Sequence, residues 1–77
     1  MKTTAEVKRV ANQIINAIIQ GAHTTDMIIR SQGLELKYRE FCKAIAYLQM
    51  EGIVELHNRN MANEYGYYIT DFGWTTL

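Results

Sequence analysis

No proline occurs among the 77 residues, only one cysteine and one tryptophan are present, and neither sign of charge prevails: eight Lys plus Arg stand against eight Asp plus Glu. A lone Cys42 excludes an internal disulfide, and with His23 and His57 far apart in the chain no zinc-ligand spacing arises. No long apolar run occurs either. The richest, Ile14 to Ile19, is interrupted by Asn16 and is far too short to span a bilayer. The first residues, with Lys2, Glu6, Lys8 and Arg9, lack the apolar segment of a signal peptide. A soluble protein of a reducing, cytoplasmic compartment is expected. There is no low-complexity stretch and no internal repeat, so residues 1–77 read as a single small domain with one core.

What is present is helical periodicity followed by strand composition. Thr3-Thr4-Ala5-Glu6 reads as a capping box, Thr3 and Glu6 satisfying each other's free backbone donors, and it opens a first helix over about 4–20. Val7, Ala11, Ile14 and Ile18 recur at helical spacing up to Gly21, and Val10, Ile15 and Ile19 widen the apolar arc beyond one stripe. That width predicts two packing partners for this helix. Thr24-Thr25-Asp26 caps a second helix over about 24–32, which Gly33 ends, and Leu34-Glu35-Leu36 is a brief connection. A third helix spans about 37–51, with Phe41, Ile45 and Leu48 inward and Arg39, Lys43, Ala46 and Met50 outward, flanked by Glu40 and Tyr47. Strand composition over about 53–57 and 65–70, with the asparagine-rich segment 58–64 between, predicts a hairpin with a polar tip and a short tail over 71–77. The fold class expected is α+β, mostly α. Ile14, Ile18, Ile28, Phe41, Ile45, Leu48, Ile53 and Ile69 are its expected interior.

A helix closing in Tyr47-Leu48-Gln49-Met50-Glu51-Gly52-Ile53-Val54, then two strands, then Tyr67-Tyr68-Ile69-Thr70-Asp71-Phe72-Gly73, resembles the winged helix-turn-helix domains of small transcription regulators. The resemblance covers about residues 5 to 73 and includes the element order. It implies three helices followed by a two-stranded wing, and a third helix that enters the major groove of duplex DNA by its N-terminal half. It further implies that Arg39 donates to a guanine edge, that Lys43 reaches a base or a phosphate, and that Lys37, Thr24 and Thr25 contact phosphates. Tyr38 and Tyr47 complete the helix side of this set, and Arg59 extends it at the wing tip. Positive charge is needed for such a ligand, because counterion release drives binding to a polyanion. Here it is local, with Lys37, Arg39 and Lys43 against Glu40. The bland reading makes these cations a solvated face paired with Glu35 and Glu40. A second functional reading, favoured by the zero net charge, is a protein-binding module that uses Tyr47 and Met50.

Five aromatic residues, Tyr65, Tyr67, Tyr68, Phe72 and Trp74, crowd into ten positions. Packing of the hairpin onto the first and third helices is their expected role, with Tyr67 and Tyr68 on opposite sheet faces. Trp74 and Leu77 are expected to cover Ile15 and Ile19 or to join a homodimer interface. Cys42 reads as a small buried filler and His23 as a turn residue. No carboxylate pair, no Ser or Cys with a His partner and no glycine-rich phosphate loop is found, so a non-enzyme without cofactor or metal is expected.

Overall fold

The computed structural model describes residues 4–57 and 65–77. Helix α1 (Ala5–Ile19) starts where Thr4, in extended conformation, accepts a 3.1 Å hydrogen bond from Val7 N–H. That side-chain oxygen satisfies one of the free donors of the first turn. The cap is thus Thr4, one residue later than expected, Thr3 lying outside the described residues, and the Glu6 carboxylate binds Arg9 at 2.9 Å and also Lys37. The wide apolar arc buries Val7, Val10, Ala11, Ile14, Ile15, Ala17 and Ile18, because three later elements pack on this one helix.

Helix α2 (Thr25–Gln32) is capped by Thr24, whose hydroxyl accepts from Met27 N–H at 3.2 Å. Beyond its end Leu34 N–H returns to the Ile29 carbonyl at 2.9 Å, and the Leu34 side chain is buried. Leu34 is thus core rather than simple connection, since the residue after a left-handed helix end packs back on the last turn. A single 3₁₀ turn, Glu35–Lys37, leads into helix α3 (Tyr38–Met50). Phe41, Ala44, Ile45 and Leu48 are its buried stripe. The helix closes in a Schellman motif: Ile53 N–H donates to the Leu48 carbonyl at 3.0 Å and Gly52 N–H to that of Gln49 at 3.1 Å. Gly52 has φ +74°, which a side chain would strain.

Strands β1 (Val54–His57) and β2 (Gly66–Ile69) pair antiparallel, with Val54 opposite Ile69, Glu55 opposite Tyr68, Leu56 opposite Tyr67 and His57 opposite Gly66. The residues after β2, expected as a tail, form a further short helix, α4 (Asp71–Thr76). Thr70 joins the two: its N–H donates to the Ile53 carbonyl at 2.9 Å, while its hydroxyl accepts the Gly73 N–H at 2.9 Å as the cap of α4. The chain is α+β and mostly helical. Ile14, Ile18, Ile28, Phe41, Ile45 and Leu48 are buried as expected, but Ile53 and Ile69 are only half-buried against the core. Val54 is buried instead, because Ile53 is still in the turn out of α3 and β1 begins one residue later than the composition suggested.

Candidate nucleic-acid interface

Along α3 the residues opposite the buried stripe are Arg39, Lys43, Ala46 and Met50, spaced four, three and four apart, so they share one face. Arg39 and Lys43 are exposed, and among the described residues neither takes part in an ion pair. The pairing with Glu35 or Glu40 that would make them an ordinary solvated face is absent from the described residues. Met50 is 74% exposed at the far end of the same face.

The remaining candidates divide. Lys37, just before α3, gives its ammonium to the Glu6 carboxylate of α1, which holds the Glu6 carboxyl below its ordinary value of 4.5. This contact ties the start of α3 to the start of α1 and occupies a cation expected to be free. The Thr24 hydroxyl is engaged as the α2 cap, and Thr25 follows it, half-buried, at the first helical position. Tyr38 is exposed, with its ring stacked on Phe41 at 6.2 Å. The neighbouring Cys42 thiol raises the Tyr38 phenol above its ordinary value of 10.0. Cys42 itself is exposed, not a buried filler, because it follows Phe41 by one position and is carried about 100° off the core stripe. Tyr47 is turned away from the outward set: it is half-buried against the core and lines a cavity with Ala11, Ile15 and Leu77. Its phenolic ring belongs to the α1–α3 contact. Arg59 lies outside the described residues.

A second constellation escapes any reading by chain order. His23, in the segment between α1 and α2, exchanges two hydrogen bonds with Tyr67: Tyr67 N–H donates to the His23 carbonyl at 2.7 Å, and His23 Nδ1–H donates to the Tyr67 carbonyl at 2.9 Å. That exchange lays the segment along β2, so closely that a Cβ at Gly66 would come within 2.7 Å of the His23 carbonyl oxygen. On the outer sheet face the Tyr68 ring is stacked between two imidazoles, His23 at 4.2 Å and His57 at 4.5 Å, and Glu55 accepts from His57 Nε2–H at 2.7 Å. Two histidines 34 positions apart in the chain therefore flank one ring. The sequence signal was slight: alternation put Tyr67 and Tyr68 on opposite sheet faces, without showing which face meets the core or what would meet Tyr68.

Tyr65, Phe72 and Trp74 are exposed, so only Tyr67 of the five clustered aromatics packs against the core. The reason is that α4 is a single capped turn and a half resting on β2 by its buried Gly73, which turns Phe72 and Trp74 outward. Leu77 reaches the cavity beside Ile15, but Ile19 and Trp74 are left exposed. Leu36 is the most exposed apolar residue described, at 99%, on the 3₁₀ turn that leads into α3. No protein-family model matches the chain, and no curated protein or solved structure matches it. Among the described residues no helix is long and apolar enough to cross a membrane.

Proposed function

We propose that this chain is a small winged helix regulator that binds duplex DNA, with α3 as the helix that enters the major groove. The observation that carries the reading is the face of α3 on which Arg39 and Lys43 project into solvent outside every ion pair among the described residues. Unpaired cations on the outward face of the second helix of a helix-turn-helix are what a polyanion would meet. Support of a second kind is that the segment carrying His23 is bonded to β2, which fixes the start of α2 against the sheet. Arg39 then reads a guanine edge by two hydrogen bonds, and Lys43 lies against a phosphate. A pair of chains would double both contacts, and the exposed Ile19, Phe72 and Trp74 are apolar surface available for such pairing.

The protein-binding alternative is favoured by one observation, the exposure of Met50 and Tyr38 at the two ends of α3 in a chain of zero net charge. Selection of bound duplexes from a random pool at low salt separates the readings. Enrichment of one sequence is expected, together with loss of discrimination at one base pair in Arg39→Ala, a cost of about 1–3 kcal/mol on the preferred site. A folded protein that enriches no sequence would discard the DNA reading and leave the protein-binding one.

A further inference from the structure

The cavity between α1 and α3, about 250 Å³ in volume, has three polar side chains around it. Lys8 and Asn12, four apart on α1, share a face with Ile15, and Tyr47 lines the cavity from α3. Among the described residues none of the three polar side chains makes a hydrogen bond or an ion pair. We propose that this cavity binds a small aliphatic carboxylate of the short fatty-acid type, its chain inside the cavity and its carboxylate on the Lys8 ammonium. Binding here is independent of whether α3 meets DNA.

The lining selects the ligand. Ile15 and Leu48 are buried and close the inner end, while Leu77, 55% exposed, stands at the rim, so the body of a ligand would lie on aliphatic side chains. Lys8 and Asn12 are exposed, which puts the ammonium and the carboxamide at the mouth. A mostly apolar hollow with a few convergent polar groups is the usual form of a small-molecule site. Here those groups can all donate: the ammonium has no acceptor at all, and the amide and the phenol can each give a hydrogen to the same oxygens. No carboxylate side chain lines the cavity, so an anion is favoured over a cation. One ammonium matches the single charge of a carboxylate better than the nearly double charge of a phosphate ester. The volume falls just short of the roughly 300–1,000 Å³ of sites for larger ligands, which keeps the chain short.

The test is titration of the full chain at low salt with butyrate, hexanoate and octanoate, read from the methyl chemical shifts of Ile15, Leu48 and Leu77. Saturable shifts at these residues are expected, with affinity rising about fourfold per added methylene until the cavity is full. Hexanamide keeps the shape of hexanoate and loses its charge, so it should bind about two- to fivefold weaker, the worth of one exposed ion pair. Lys8→Gln, an exchange on the exposed side of α1, should erase that difference while melting like the parent. Absence of saturable shifts up to millimolar octanoate overturns the proposal. So does equal binding of acid and amide by the parent, or a Lys8→Gln protein that keeps the preference for the acid. Shifts of the same methyl groups that follow protein concentration alone would mean that a second copy of the chain fills the cavity, and would overturn it as well. None of these outcomes bears on the selection of duplexes, so the DNA reading stands or falls separately.

Discussion

At the scale of single residues, the strongest constraints come from atoms with nowhere else to go. Gly73 lies where a Cβ would collide with the Ile53 carbonyl and come within 2.8 Å of Ile69 Cγ2, so the approach of α4 to the sheet depends on the missing side chain. Gly73→Ala should lower stability by about 1–3 kcal/mol, the usual cost of overpacking, as read by thermal or denaturant unfolding. An unchanged melt would mean that α4 does not rest on Ile53. Glu6 is a different case, since its link to Lys37 is exposed and its worth is set by charge. The Lys37 ammonium lowers the Glu6 pKa from 4.5, so the folded state binds that proton less readily than the unfolded chain does. The resulting stabilisation is present above pH 4.5 and fades as the pH falls through the lowered folded value. Glu6→Gln should accordingly melt slightly below the parent at neutral pH, and the two curves should converge in acid. A gap of constant size from neutral to strongly acid pH would show that the ion pair is not its cause.

At the scale of elements, helices were the legible part of the sequence. Hydroxyl caps, apolar spacing and terminal glycines are local signals, and they located α1, α2 and α3 to within a residue or two. Leu34 was missed although its signal is also local: an apolar residue directly after a helix-ending glycine packs back on the helix it leaves. Leu34→Ala should therefore cost as much as Leu48→Ala, about 2–5 kcal/mol each, in unfolding measurements. A Leu34→Ala protein as stable as the parent would return Leu34 to the role of linker. The α4 turn was misread as a tail because Thr70 serves several partners at once, the Gly52 and Ile53 carbonyls and the Gly73 N–H, and only the last leaves a trace in local spacing. The histidine and tyrosine stack was beyond reach for a stronger reason. It joins the α1–α2 segment, β1 and β2, three pieces whose proximity follows from the tertiary fold alone. Stacked ring pairs contribute about 0.5–1.5 kcal/mol each beyond their burial, so Tyr68→Ala, which removes two, should destabilise by about 1–3 kcal/mol. The loss should appear first as faster amide exchange at Tyr67, whose N–H is bonded to His23. Protection at Tyr67 equal to that of the parent would show that the stack does not hold the segment to the sheet.

At the scale of the whole molecule, zero net charge sets how the proposed DNA contact must behave. No long-range field draws the chain toward a polyanion, and beyond roughly 10 Å at ordinary ionic strength any surface field is screened. In the proposed contact, attraction is then left to local cations, those of the α3 face first. The site was only partly legible for the same reason: helical spacing assigned Arg39 and Lys43 outward, but the commitment of Lys37 to Glu6 links positions 31 apart. With Lys37 so engaged, Lys43 on a phosphate and Arg39 on a base, one chain displaces only one or two counterions. The logarithm of its binding constant should fall with the logarithm of salt concentration at a slope of about −1 to −2, and at about twice that slope for a bound pair of chains. Sedimentation of the complex counts the chains and decides which value applies. Lys43→Ala should make the slope shallower by about one ion per chain and weaken all sequences nearly alike, whereas Arg39→Ala should act mainly on the preferred one. A slope steeper than about −4 for a complex of two chains would mean that cations outside α3 carry the contact. The placement of α3 in the groove would then have to be abandoned.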